Sequence, residues 1–168
     1  LEFPDDPACD YLDLQYMLGD SLLVASVFRH DGTVSYYVPA GKWTSLLTGN
    51  VMEGPRWVRE THDFLSLPLL VRPNSVIPVG NRNDRPDYDF SDNVTLQLYQ
   101  LEDGSSTLVE IPSLDGKIET TFRVSRNGNE IHIQRNGRAK AWSVSLAGDP
   151  SAKTNIDEQT SEIKVQLP

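Results

Sequence analysis

The sequence predicts an all-β chain: two antiparallel β-sandwich domains in tandem, preceded by a short strand and helix. Three observations carry this. Apolar or alternating segments recur at spacings of about ten residues and are separated by Gly- and Pro-rich turns. Asn127-Gly128 joins two such segments with the strongest hairpin signal in the chain. No helical periodicity of useful length follows Leu18.

The elements follow in order. Residues 1–19 read as a strand stub (Leu1, Phe3), an acidic loop and a short amphipathic helix. Pro7 sits at the first helical position with Asp6 as N-cap, because a helix start does not need the N–H that proline lacks. Ala8, Tyr11, Leu12 and Tyr16 share one helical face, and Gly19 suits a left-handed C-cap. Leu22 to Phe28 is a continuous apolar run, as in a strand buried on both faces. Asp31-Gly32 predicts a hairpin turn into a return strand, Val34 to Val38. Pro39-Ala40-Gly41 and Thr48-Gly49-Asn50 are turns on either side of Lys42 to Leu47, and Arg56 to Glu60 is a short strand. Phe64 to Val71 and Val76 to Val79 are apolar, and Pro68 marks the former as an edge or bent strand.

Asn81 to Asp92 has few apolar residues and reads as an inter-domain connection. The expected organisation is therefore 1–19 (strand and helix), 20–82 (first sandwich) and 83–168 (second sandwich). In the second domain Val94 to Leu101 alternates, and Thr107 to Ile111, Lys117 to Ser125, Glu130 to Gln134, Ala141 to Leu146 and Ile163 to Leu167 complete the strands.

Composition limits the function classes. In 168 residues, 38 % hydrophobic and 23 % charged content is that of a globular chain. A net charge of −9 argues against nucleic acid as a partner, which demands clustered Lys and Arg. No apolar run reaches the ~18 residues of a membrane helix, so no membrane partner is expected. Cys9 is the sole cysteine and forms no internal disulfide; it reads as a small buried hydrophobe rather than a nucleophile. The opening on Leu1-Glu2-Phe3 without methionine reads as a cut, since the predicted helix has an apolar face and no partner for it.

Several residues invite chemistry. Gly19-Asp20-Ser21-Leu22 carries the signature letters of GDSL esterases. That chemistry places its serine at a strand end opening a helix, whereas here a helix precedes and a strand follows. Nor does His30, His62 or His132 have an aspartate three positions before it, so Ser21 is not expected to be catalytic. Asp5 and Asp6 are adjacent, whereas an acid/base pair faces across a substrate at roughly 5–9 Å. Asp87, Asp89 and Asp92 have the alternation of a calcium loop without its glycine and closing glutamate. His62-Asp63 resembles a base with its orienter but lacks a nucleophile or pocket signature, which favours a surface or turn pair. Trp43, Trp57 and Trp142 would stack on sugars only if exposed, and core packing is the expectation. Asn93-Val94-Thr95 is a glycosylation sequon, relevant to a secreted protein.

The runs Glu2-Phe3-Pro4-Asp5-Asp6-Pro7, Tyr11-Leu12-Asp13, Gln15-Tyr16-Met17-Leu18-Gly19-Asp20 and Leu23-Val24-Ala25 closely resemble family-31 glycoside hydrolases, specifically α-xylosidases. Gly41-Lys42-Trp43-Thr44, Phe64-Leu65-Ser66-Leu67-Pro68 and Arg85-Pro86-Asp87-Tyr88 continue the resemblance in order to about residue 104, beyond which it thins. Ser26 stands where the family usually has proline. The resemblance implies that residues 1–19 are the last strand and helix of a (β/α)₈ barrel. The remainder would be the proximal and distal C-terminal β-sandwiches. Such enzymes cleave α-linked xylose or glucose with retention, through two aspartates on barrel segments upstream of this chain. No catalytic, cofactor-binding or metal residue is therefore assigned here, and no cofactor is expected. The chain is expected to be inactive alone and to partner the barrel of its parent, whose substrate is an α-xyloside or α-glucoside. Self-association of the parent is left open, and its expected location is the cytoplasm. The alternative is a sugar-binding module using exposed aromatics.

Overall fold

The opening segment departs from its helical spacing. Asp6 does act as the cap, its Oδ1 accepting from the Ala8 N–H at 3.1 Å, with Pro7 in the first turn. What it caps is a 3₁₀ turn, Pro7–Tyr11, and Tyr11 is 88 % exposed rather than part of a buried face. Gln15–Leu18 is then a strand, β1. The Gln15 side chain explains the switch. Its Nε2 donates to the Tyr37 carbonyl and its Oε1 accepts from the Tyr37 N–H, both at 2.8 Å. A side-chain amide thus plays the part of a neighbouring peptide, alongside the main-chain pairing of β1 with the strand that follows it, from Gln15↔Ala25 to Leu18↔Leu22. Gly19 has the expected positive φ of 61°, but in the loop that joins β1 to β2. The strand and helix expected for residues 1–19 are a turn and a strand of the first sheet.

Gln15→Ala removes both bonds and leaves two main-chain groups to find other partners. The expected cost is about 1–2 kcal/mol, read from the urea denaturation midpoint of the chain. An unchanged midpoint would show that the amide does not fix the strand.

The structure is a computed structural model that describes residues 2–147 and 153–167. Leu1, assigned above to the strand stub, lies outside the described residues. The chain forms two units, Leu1–Pro73 and Asn74–Pro168.

In the first unit β1 joins β2 (Leu22–Ala25), β3 (Thr33–Ser45), β4 (Val51–Thr61) and β5 (Leu69–Val71) in one antiparallel sheet of order β1-β2-β5-β3-β4. Strand β2 pairs with β1 and β5 and not with β3, so Asp31-Gly32 does not close the expected hairpin. Instead Asp31 starts β3, its Oδ1 accepting from the Thr33 N–H at 3.0 Å. The two strands expected on either side of Pro39-Ala40-Gly41 are one 13-residue strand with a bulge, where the β3–β4 register shifts between Val38 and Gly41. Gly41 takes φ 116° there. Gly54, opposite, admits the bulge because a Cβ on it would lie 2.0 Å from the Pro39 carbonyl oxygen. Val34, Tyr36 and Val38 from one arm of β3 and Trp43 from the other share a core with Leu23, Ala25 and Leu70, so the sheet curls around it. Pro68 precedes β5, an interior strand, rather than marking an edge. A strand's entry is where the missing N–H is tolerated. Residues 64–67, expected to continue that strand, form a loop.

The second unit is a sandwich of two four-stranded sheets. One has the order β12 (Thr154–Ile156), β11 (Trp142–Leu146), β7 (Val94–Tyr99), β6 (Ser75–Val79). The other has β13 (Glu162–Gln166), β10 (Glu130–Gly137), β9 (Ile118–Asn127), β8 (Ser106–Pro112). Because β6 pairs with β7, from Ser75↔Tyr99 to Val79↔Thr95, the division falls after Pro73 and not at 82/83. The polar stretch 81–92 is thus a connection inside this unit. The β9–β10 hairpin turns at Gly128, where φ is 59°, as Asn127-Gly128 predicts. Among the described residues the pairings of this unit are antiparallel except β7 with β11, which is parallel. Leu96, Leu98, Val144 and Trp142 from one sheet meet Phe122, Val124, Ile131 and Ile133 from the other. Among the described residues no helix is long and apolar enough to cross a membrane.

Candidate functional site

At one end of the first sheet, residues 26–32 leave β2 and residues 62–68 leave β4. The His62 N–H donates to the Gly32 carbonyl at 2.9 Å, tying the two loops together. Gly32 is required there: its φ is 73°, and a Cβ would lie 2.1 Å from the His62 carbonyl oxygen. Between the loops is a groove of about 460 Å³, lined among others by Val27, Arg29, His30, His62, Ser66 and Leu67.

A hydrogen-bonded chain runs from the core, at Tyr36, to the groove, at His62, Ser66 and Asp63. The Tyr36 hydroxyl donates to Glu60 Oε1 at 3.0 Å, and His62 Nε2 lies 2.9 Å from the same oxygen. His62 Nδ1 is 3.1 Å from Ser66 Oγ. Ser66 Oγ donates to Asp63 Oδ1 at 2.8 Å, and that oxygen also accepts from the Leu65 N–H at 3.0 Å. The Ser66 hydroxyl, then the Leu65 N–H, holds the Asp63 carboxyl below the usual carboxylate range. Burial, with the Glu60 charge next, pushes the Tyr36 phenol up.

Serine, imidazole and carboxylate stand here in the order of a nucleophilic triad, but the hydroxyl proton has a nearer acceptor in Asp63 than in His62. A serine that gives its proton to a carboxylate across a tight turn is a poor nucleophile. The network instead fixes the 62–67 loop, which turns Phe64 and Leu65 outward, 105 % and 92 % exposed. His62 and Asp63 do not hydrogen-bond each other; Asp63 caps the turn, and both line the groove, which the residues alone did not signal. The residues not singled out from sequence are Glu60, Ser66 and Tyr36. Strand alternation places Glu60 on the same side as His62, and Asp63-x-x-Ser66 is a side-chain-capped turn, so both left a readable signal.

The other candidates disperse. Ser21 lies in the β1–β2 loop with its carbonyl accepting from the Arg72 N–H at 2.8 Å, and no described histidine hydrogen-bonds its hydroxyl. Asp5 is exposed, and Asp6 is occupied as the cap and as acceptor of the Tyr37 hydroxyl at 2.8 Å. That bond pushes the Tyr37 phenol up to about 12. Asp87 pairs with Arg85, Asp89 with Lys140, and Asp92 with Asn81 and Asn93, so the three carboxylates do not converge. Among the described residues no group of three or more His, Cys, Asp or Glu is placed to hold a metal ion. Cys9 is half-buried, with its thiol pushed up by burial and then by Asp6 and Asp10. Trp43 is buried with its N–H donated to the Pro39 carbonyl, and Trp142 likewise to that of Thr160. Trp57, on β4, departs from the core expectation: it is 61 % exposed and tilts against Tyr37. Asn93 is exposed, while the Thr95 hydroxyl of its sequon is bonded to Ser143.

One charged cluster was not anticipated. Lys140 Nζ, mostly buried, reaches Asp89 Oδ2 at 2.5 Å, Ser91 Oγ at 2.8 Å and Glu119 Oε2 at 3.2 Å. Lys140 first, then Ser91, lowers the Asp89 carboxyl; Ser91 first, then Lys140, lowers that of Glu119.

Comparison with known proteins follows this division of the chain. A family model described as "Glycosyl hydrolase family 31 C-terminal domain" matches residues 1–77. A second, "Alpha-xylosidase YicI, C-terminal domain", matches residues 89–167, so the likeness continues well beyond residue 104. The chain is 38 % identical over 173 residues to the α-xylosidase XylQ of Lactiplantibacillus pentosus, covering 99 % of this chain and 21 % of that protein. It is 40 % identical over 133 residues to an α-xylosidase of Emericella nidulans, covering 74 % and 16 %. In fold it is similar to a family-31 α-xylosidase from Xanthomonas citri, with a TM-score of 0.76 at 23 % identity, covering 99 % and 21 %. The chain thus spans about a fifth of the length of the relatives it matches.

Proposed function

The chain belongs to glycoside hydrolase family 31, where it corresponds to the C-terminal domains, and from that premise we propose that it is the non-catalytic β-region of a retaining α-xylosidase- or α-glucosidase-like enzyme, packing on the catalytic barrel and stabilising it. One observation carries the reading. Each of the two units is matched by a C-terminal domain of the family, while about four-fifths of the relative's length lies outside the match. Retaining hydrolysis uses two carboxyl groups facing the scissile bond, and the acids singled out here serve as caps, turn formers and ion-pair partners. The role of this chain is then to supply surface and rigidity, not bond cleavage.

The 168-residue chain alone is expected to leave an aryl α-xyloside unhydrolysed. Release of the aryl group above the buffer rate, retained through repeated purification, would overturn the reading.

Trp57 favours a second reading, that of a sugar-binding face, since an exposed indole on a rigid strand is what a pyranose ring stacks on. Tryptophan fluorescence titrated with xylo-oligosaccharides separates the two. No change at millimolar sugar removes the second.

A further inference from the structure

We propose that the paired loops 26–32 and 62–67 are the edge by which this chain seats on the rest of a family-31 enzyme, with Phe64 and Leu65 as the anchors that enter apolar recesses on its catalytic barrel. This rests on the reading of the chain as the C-terminal region of such an enzyme.

Phe64 and Leu65 are the two most exposed large hydrophobics among the described residues. An exposed apolar tip is ordinarily tolerated on a mobile loop, but this one is held. Asp63 caps the turn through the Leu65 N–H and the Ser66 hydroxyl, and Ser66 is linked through His62 to Glu60 and Tyr36 in the core. Ordering a loop so as to present apolar side chains to water has no benefit to the isolated fold. It does benefit association, because the entropy of ordering is then spent before the partner arrives. The facing loop adds exposed Phe28, and Arg29, Asp31 and Asp63 stand around the apolar tip as charged neighbours. Apolar anchors within a polar surround are the anatomy of a binding surface.

The choice of occupant follows from length. In the relatives, about four-fifths of the protein lies outside the part this chain matches, and it is covalently attached. Attachment presents that partner at a high effective concentration, an advantage a second copy of the chain lacks.

The test grafts this chain onto the Lactiplantibacillus pentosus relative in place of its matching fifth, with and without the double substitution Phe64→Ser and Leu65→Ser. A Leu108→Ser graft, which alters an exposed leucine of the second unit, is the control. The double variant, which removes both anchors, is expected to inactivate thermally at least about tenfold faster than the unsubstituted graft. The control keeps the unsubstituted rate, and the isolated 168-residue chain keeps its urea midpoint with or without the double substitution. A doubly substituted graft as durable as the unsubstituted one would overturn the docking edge and leave the C-terminal reading standing. An unsubstituted graft with no xylosidase activity would overturn that reading and the edge with it. Dimerisation of the isolated chain that the double substitution abolishes would give the surface to a second copy and overturn the barrel as occupant.

Discussion

Trp142→Ala is expected to lower the unfolding free energy of the chain by about 3–5 kcal/mol, a large part of the whole for a domain of this size. Trp142 is 2 % exposed at the start of β11, paired on one side with Val94 of β7 and on the other with Ile156 of β12. Its ring centroid lies 5.0 Å from that of Phe122 on β9, so one side chain joins the two sheets of the sandwich. Alanine leaves a void that close-packed neighbours fill only in part, and the Thr160 carbonyl loses the indole N–H at 3.1 Å. Trp142→Phe separates these terms. It keeps a ring against Phe122 and loses the hydrogen bond, at an expected cost of about 1–2 kcal/mol. Urea denaturation followed by circular dichroism reads both. Equal losses for the two variants would mean that ring packing is not what holds the sheets together.

Lys140→Met is expected to cost about 2–3 kcal/mol at neutral pH, somewhat less than breaking a fully buried ion pair because Asp89 is half exposed. The loss arises from Glu119, which is mostly buried and is left beside Asp89 with only the exposed Arg138 guanidinium, 3.0 Å away, to offset the two carboxylates. The effect depends on pH in a definite direction. Both carboxyls are held below their ordinary values in the folded chain. Their contribution is therefore complete above the unfolded carboxylate range, about pH 4–4.5. It is lost as the pH falls through the lower folded values. The variant should differ most from the parent chain near pH 7 and converge on it toward pH 3. Urea midpoints at the two pH values decide the matter; a gap that widens in acid would show that the cluster does not act through ionised carboxylates.

How much of this was legible depended on whether the cause was local. Asn127-Gly128 announced its hairpin because turn chemistry belongs to the two residues themselves, and Val94 to Leu101 announced β7 by alternation. The helix that the spacing predicts over 7–18 does not form because more distant groups decide the outcome. Nothing local to Gln15 shows that its amide will clasp Tyr37, 22 positions away. The break expected at Pro39-Ala40-Gly41 failed likewise, since the bulge is accommodated by Gly54 on the opposite strand. β6 was assigned to the first unit by position along the chain, whereas pairing with β7 decides its place. At the site, His62 and Asp63 stood out as residue types. That Asp63 serves Ser66 rather than His62 depends on a turn whose geometry no composition reveals. Family membership was the easiest inference, because it rests on runs of letters and not on where they lie in space.

The parallel pairing of β7 with β11 has a kinetic consequence. Thr95 and Ser143 are 48 positions apart, and β8, β9 and β10, which lie between them in the chain, belong to the other sheet. The β8–β9–β10 meander can zip up from neighbouring segments as soon as it leaves the ribosome, but β7 must wait with one flank bare until residue 146 has emerged. Such a high contact order makes closure of that sheet the slow step in maturation. The interval before it is when the nascent chain is most open to wrong partners.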